Sequence, residues 1–243
     1  MNIHGRFYIV GVGPGDPELI TRKAVRIIEE CPVVCVPRGK DEGRSIALSI
    51  AEKSVSMEGR EILEVHFPME KIRPGEYVTP RVKIAWREAA IAVHAQLIKG
   101  KNVAFPVLGD PTFYGTAFYL VQELQEMAER IRVIVVPGVS SIGASAASAG
   151  IPLCLGDERV AIIPATYEEE HLLETLRIFD TVVFMKVHNV IAKMLDILER
   201  MGLMGGAVII EKSGMPEERI IKASDFRPVD ELHYFSTMIV RKR

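Results

Sequence analysis

Two rhythms of apolar residues alternate along the first 150 positions. Phe7 to Val12 is a continuous apolar run ending in glycine, the pattern of a strand covered on both faces. Leu19, Ile20, Ala24, Val25, Ile27 and Ile28 then recur at helical spacing, which predicts an amphipathic helix over 18–30. Val33–Val36 and Ile62–Phe67 read as further strands, with a helix over Ser45–Lys53 between them. After a polar, proline-bearing stretch, Thr79 and Pro80 signal a helix start: a hydroxyl cap followed by proline at the first helical position. That helix carries Ile84, Trp86, Ala89, Ile91 and Leu97 and stops at Gly100, ahead of a strand over Asn102–Leu108.

The second half repeats the pattern. Strands are predicted at Ile131–Val136, Val160–Ile163, Thr181–Met185 and Ala207–Ile210, and helices at Phe118–Glu129, Ile142–Ala149, Glu168–Ile178 and Val190–Met201. Near the end the helices drop out. Arg219–Lys222 and Tyr234–Arg241 follow as strands, and parallel pairing would need a longer crossover, so antiparallel pairing is expected there. The predicted class is α/β, with two α/β domains, a cleft between them and a mixed sheet in the C-terminal one. The turn-rich stretch Gly109 to Gly115 is the best boundary, giving domains over 1–114 and 115–243.

With 243 residues, 48% of them hydrophobic and 26% charged, the chain is long enough for two modest cores. A formal net charge of −2 disfavours a protein that coats nucleic acid. No uncharged apolar run reaches bilayer length, and the polar start leads straight into a strand, so a cytoplasmic protein is expected. Three cysteines make no disulfide framework. Cys31 and Cys35 open a C-x3-C spacing, but the third position of an iron–sulfur triad is Arg38. The pair therefore reads as small buried hydrophobes, and no metal site is expected.

Three strand-end loops carry the candidate chemistry. Gly11-Val12-Gly13-Pro14-Gly15-Asp16-Pro17 lets a ligand approach the backbone, yet its G-x-G-x-G spacing and Pro17 fail as a dinucleotide fingerprint. The second strand also ends at Pro37-Arg38 rather than in an acid. Leu108-Gly109-Asp110-Pro111-Thr112-Phe113-Tyr114-Gly115-Thr116 also follows a buried strand. Asp110 there either accepts from ribose hydroxyls or an ammonium group, or caps the turn before Pro111. Val136-Pro137-Gly138-Val139-Ser140-Ser141 opens a small-residue helix that either serine can cap. Neither serine is a nucleophile, because the G-x-S-x-G elbow is absent.

In this order, G-V-G-P-G-D-P, L-G-D-P-T-F-Y-G-T and P-G-V-S-S resemble the tetrapyrrole methylase family, from about Arg6 to the C-terminus. Further stretches are similar to its precorrin-2 or cobalt-factor II C-20 methyltransferases. They are Val36-Pro37-Arg38 with Gly43-Arg44-Ser45, Phe67-Pro68-Met69, Pro152-Leu153 with Gly156–Arg159, and Phe184-Met185-Lys186. The resemblance implies a homodimer of two-domain subunits that uses S-adenosylmethionine, releases S-adenosylhomocysteine and acts in cobalamin biosynthesis. It places Pro14, Leu108, Gly109, Asp110, Phe113, Thr116, Ala117, Ser140, Ser141 and Met185 at the donor. Adenine-side contacts would fall near Pro164-Ala165, Glu211-Lys212 and Ser236-Thr237.

Methyl transfer from a sulfonium needs alignment more than acid–base work, so no catalytic pair is compulsory. Asp16 and Tyr114 are candidates for contacting the macrocycle or steering its proton. A polycarboxylate substrate suits arginine, whose planar fork pairs bidentately with carboxylates. Arg38 and Arg44 are the better candidates, with Lys71 and Arg73 behind them. Competing readings are a diphthine synthase, an RNA methylase of the same family, and a nucleotide-binding module without turnover. Near-neutral charge and the lack of a basic tail disfavour RNA.

Overall fold

The computed structural model describes residues 4–38, 45–68, 78–128, 131–227 and 231–242. It divides into two compact units, Met1–Ser140 and Ser141–Arg243.

The first unit is built on five parallel strands: β1 (Arg6–Gly11), β2 (Val33–Arg38), β3 (Glu61–His66), β4 (Val103–Val107) and β5 (Arg132–Val136). They lie in the order β3-β2-β4-β1-β5. Among the described residues, four α-helices accompany them: α1 (Arg22–Glu30), α2 (Ile46–Ala51), α3 (Pro80–Leu97) and α4 (Ala117–Met127). The unbroken apolar run of β1 follows from burial on both faces. Phe7 and Ile9 join one core with Val33, Val103, Phe105 and residues of α3 and α4. Tyr8 and Val10 face the other way, into a core with Val34, Val36, Ala104 and residues of α1 and α2.

On the α3–α4 side, Trp86 stacks on Tyr119 with ring centroids 4.4 Å apart and planes 6° from parallel. Phe67 covers its other flank at 5.8 Å. Buried aromatic pairs of this kind add about 1 kcal/mol beyond their area. Cys31 and Cys35 are both buried. Burial, with the neighbouring Glu30 charge, pushes the Cys31 thiol up to about 12, and burial also raises Cys35. Both are therefore inert hydrophobes at neutral pH.

The second unit contains α5 (Ser141–Ser148), β6 (Val160–Pro164), α6 (Glu169–Ile178), β7 (Thr181–Met185), α7 (Ile191–Arg200), β8 (Ala207–Glu211), β9 (Arg219–Lys222) and β10 (Ser236–Arg241). Its sheet runs β6-β7-β10-β8-β9. β6 and β7 are parallel, whereas β10 is antiparallel to both β7 and β8. The hairpin β8–β9 is antiparallel too. One face of this sheet packs Phe184, Ile209 and Met238 against α6 and α7. The other packs Val183, Ile210 and Ile239 against α5. Arg241 pins the loop before β6, donating to Pro152 O at 2.8 Å and pairing with Glu158 at 2.8 Å while both side chains are largely covered.

Three expectations are corrected. The division falls between Ser140 and Ser141, not between 114 and 115, because β5 returns to pair with β1 and completes the first sheet. The helix predicted over 18–30 is broken: a 3-10 turn spans Pro17–Leu19, and α1 starts afresh under Thr21, whose hydroxyl accepts from Ala24 N at 3.1 Å. Pro80 does open α3, but Thr79 makes no side-chain cap. No helix among the described residues is long and apolar enough to cross a membrane.

Phe184 is fully buried in the face shared with α6 and α7. Phe184→Ala is expected to lower the unfolding free energy by about 3–5 kcal/mol. Urea titration followed by far-UV circular dichroism checks this, and a loss under about 1 kcal/mol would mean that this face is not a packed core.

Candidate active site

In the first unit, the three loops singled out in the sequence leave the C-terminal ends of β1, β4 and β5, which are adjacent in the sheet. In open α/β sheets, ligands bind in the crevice outside the carboxyl ends of such strands. The loops touch backbone to backbone. Gly13 and Gly109 exchange hydrogen bonds, Gly109 N to Gly13 O at 2.7 Å and Gly13 N to Gly109 O at 3.3 Å. Both glycines have positive φ, +82° and +72°, which an L side chain adopts only under strain. A Cβ on Gly138 would lie 2.3 Å from Gly109 O and 2.9 Å from Gly11 Cα, and one on Gly11 would lie 2.7 Å from Gly138 N. Glycine is therefore required where the loops cross.

Asp110 fastens that crossing. Its Oδ2 accepts from Gly138 N at 2.9 Å, across to the third loop. Its Oδ1 accepts from Thr112 N at 2.8 Å and from the Thr112 hydroxyl. Burial pushes its pKa up, but the hydrogen bonds from Thr112 and Gly138 outweigh burial and hold it below its ordinary value. Of the two roles open to Asp110 in the sequence, the turn-and-loop bracket is the one its described contacts serve.

Around this crossing the other expected residues take distinct places. Asp16 caps the 3-10 turn, accepting from Glu18 N at 2.8 Å. Phe113 and Tyr114 expose their rings, and Tyr114 has a φ of +56°, a strained setting for a bulky residue. Leu108 is half-buried at the loop's start, and Pro14 is buried in the first loop. Thr116 stands at the N-terminus of α4, whose first residue, Ala117, is buried. Ser140 ends the first unit and Ser141 begins α5 in the second. Arg38, at the end of β2, is mostly exposed and faces Glu64 at 3.7 Å. Arg44, Lys71 and Arg73 lie outside the described residues.

In the second unit, Pro164, Met185 and Thr237 form one row across β6, β7 and β10. Thr237 Oγ1 lies 3.7 Å from Met185 Sδ, and Ala165 N donates to Met185 O at 2.8 Å. Strand alternation puts Met185 and Thr237 on the face covered by α5. Ser236 therefore faces the other way, paired with Glu211, and its hydroxyl donates to His233 O. The sequence grouped Ser236 with Thr237; the register separates them.

Beside this row, Lys186 and Lys212 have positive φ, 62° and 51°, immediately after β7 and β8. Lys212 N donates to Phe235 O at 2.7 Å. Glu211 is only 4% exposed. It accepts from the Arg219 guanidinium and from His233 N. Burial raises its pKa, but these donors hold it below the ordinary value. An open cavity of about 540 Å3 lies here, with Glu211, Lys212, Arg219, His233 and Tyr234 in its wall. His188 packs edge-on to Tyr234 at 5.1 Å, and burial, then the His233 charge, lowers its pKa. Arg219, His233 and His188 escaped the sequence reading. A charged strand start and two scattered histidines carry no local motif.

The family model described as Tetrapyrrole (Corrin/Porphyrin) Methylases matches residues 6–225. The chain is 33% identical over 247 residues to the cobalt-precorrin-2 C(20)-methyltransferase of Salmonella typhimurium, a match covering 99% of this chain and 98% of that protein. It is also 33% identical to the probable cobalt-precorrin-2 C(20)-methyltransferase of Methanocaldococcus jannaschii, over 98% of this chain and 96% of that one. Among solved structures, a cobalt precorrin-4 methyltransferase shares the fold with a TM-score of 0.72 at 23% identity, covering 97% of this chain and 94% of its own. A uroporphyrin-III C-methyl transferase from Thermus thermophilus, complexed with S-adenyl homocysteine, matches with a TM-score of 0.66 at 25% identity, over 98% of both chains.

Two outcomes follow from the loop crossing. Gly138→Ala is expected to cost about 1–3 kcal/mol by overpacking, read as a lower urea midpoint, and an unchanged midpoint would refute the close approach. Asp110→Asn tests the bracket. A depressed carboxylate stabilises the fold fully above its ordinary pKa, and the contribution disappears as pH falls through the depressed value. The stability gap between wild type and Asp110→Asn should therefore be full at pH 7 and shrink as pH drops below about 4; a gap independent of pH would mean that the charge is not what holds the loops.

Proposed function

Since the chain belongs to the tetrapyrrole (corrin/porphyrin) methylase family, we propose that it is an S-adenosylmethionine-dependent methyltransferase adding a methyl group to C-20 of precorrin-2 or cobalt-factor II in cobalamin biosynthesis. The observation that carries this reading is the near full-length 33% identity to a cobalt-precorrin-2 C(20)-methyltransferase. On the same ground we propose a homodimer working in the cytoplasm on a small-molecule tetrapyrrole, without nucleic acid or membrane.

The residues present fit the donor. Pro164, Met185 and Thr237 share one sheet face, combining apolar surface, a polarizable thioether and a hydroxyl, which suits a purine ring with a polar edge. Leu108, Gly109, Phe113, Thr116, Ala117 and Ser140 surround the loop crossing of the first unit, with Pro14 on the neighbouring loop and Ser141 opening α5. Asp110 serves this site by fixing Gly109 and Gly138 relative to each other. Ala165 and Lys212 flank the row in the second unit. When bound, S-adenosylmethionine supplies a methyl group on a sulfonium that is already activated for transfer.

What the chain must add is alignment and a dry setting, which lower the barrier without a dedicated acid–base pair. The glycine crossing keeps the donor loops from shifting, because movement would break the hydrogen bonds of Asp110. The exposed rings of Phe113 and Tyr114 offer apolar surface that excludes water from the reacting atoms. Among the described residues, the Arg38 guanidinium pairs with Glu64 at 3.7 Å and largely in solvent, a weak pairing that a substrate carboxylate can displace. Arg44 is assigned the same role, and Asp16 and Tyr114 contact the macrocycle.

The test is a methylation assay with S-adenosylmethionine, run in parallel on precorrin-2 and cobalt-factor II and read by mass spectrometry. Gain of one methyl group on either macrocycle, at carbon 20 by labelled-carbon NMR, is the expected result. Donor binding with no methylation of either macrocycle would overturn the assignment.

A further inference from the structure

We propose that Glu211 is a positioning residue for the methyl donor, acting from the opposite face of the sheet through the chain that enters β10; this rests on the donor site proposed above. Glu211 ends β8 and points away from the α5 face that carries Met185 and Thr237. At 4% exposure it is nearly removed from water, a costly place for a carboxylate unless donors surround it. Two donors do. Arg219, opposite it in the β8–β9 ladder, and His233 N engage its two oxygens.

His233 is thereby held from both sides. Its N–H donates to Glu211, while its carbonyl accepts from the Ser236 hydroxyl. Between these two anchors the chain carries Tyr234 and Phe235. Phe235 N donates to His233 Nδ1 at 3.2 Å, and Phe235 O accepts from Lys212 N at 2.7 Å. The segment is a strap drawn across the end of β8. It holds Lys212 in its left-handed conformation and delivers Thr237, the next residue after Ser236, opposite Met185.

A surface ion pair would not need this arrangement. The Arg200–Glu169 pair, for instance, is half exposed on both sides and touches no strand entry. Glu211 instead spends both oxygens on a backbone segment and its ladder partner. Its substitution therefore acts on the geometry of Lys212 and Thr237. Ser236, facing the same side as Glu211, belongs to the strap rather than to the donor's surroundings.

Glu211→Gln keeps the shape but presents an amide N–H to one of the two donors. The expected result is a rise of about tenfold in the Kd for S-adenosylhomocysteine by calorimetry, the consequence of losing one charge-assisted hydrogen bond. The KM for S-adenosylmethionine should rise in parallel with kcat nearly unchanged. A purely structural role would lower the melting temperature and the active fraction but leave the Kd of the folded protein alone. Arg219→Gln, at a half-exposed side chain, carries the same test if Glu211→Gln does not fold, with weaker donor binding expected. Wild-type protein that binds S-adenosylhomocysteine, beside a folded variant that binds it equally well, overturns the positioning role and leaves the donor site standing. Wild-type protein that fails to bind it overturns both.

Discussion

Contact between backbones at the ends of β1, β4 and β5 is the constraint on which the first unit's chemistry depends. Three peptide segments approach so closely at Gly11, Gly109 and Gly138 that no side chain fits between them. Such an approach buries polar backbone groups, and each must find a partner. The Gly13–Gly109 exchange and the Asp110 carboxylate provide those partners. A ligand resting on these loops meets a surface already fixed, and fixing a surface in advance is how an enzyme avoids the entropy loss of ordering it on binding.

The second unit reaches a similar end by other means. At the end of β8 that leads into Lys212, buried charge rather than a glycine crossing fixes the chain. Glu211 draws together a ladder neighbour and a backbone amide, and the chain between them becomes rigid because it is tied at both ends. The two positive-φ lysines mark where that rigidity is strained. Backbone strain at strand ends persists only where surrounding contacts outweigh it, and the Lys212–Phe235 hydrogen bond is one such contact.

Much of this was legible in the chain itself. Runs such as Phe7–Val12 announce strands buried on both faces, and the glycine–proline–aspartate loops announce where those strands stop. The class, the mixed second sheet and its antiparallel end follow from such local signals. What stayed hidden depends on distance along the chain. The return of β5 to β1 is a pairing between residues far apart in sequence, so the turn-rich stretch near Gly115 carries the local signs of a boundary although it is a loop within the first unit. The opposite facing of Ser236 and Thr237 is fixed by register with β7 and β8, and neighbours in a strand give no hint of which face holds a ligand. Asp110 illustrates the same limit: its spacing to Thr112 is visible, but its bond to Gly138 is not.

The stack of Trp86 on Tyr119 has a consequence for how the protein reports on itself. Trp86 is the only tryptophan in the chain and sits wholly within the first unit. Its indole emission therefore follows the loosening of that unit alone, and the second unit is silent to it. Two signals recorded on one sample, indole emission for the first unit and backbone dichroism for both, separate the cooperativity of the two halves without cutting the chain.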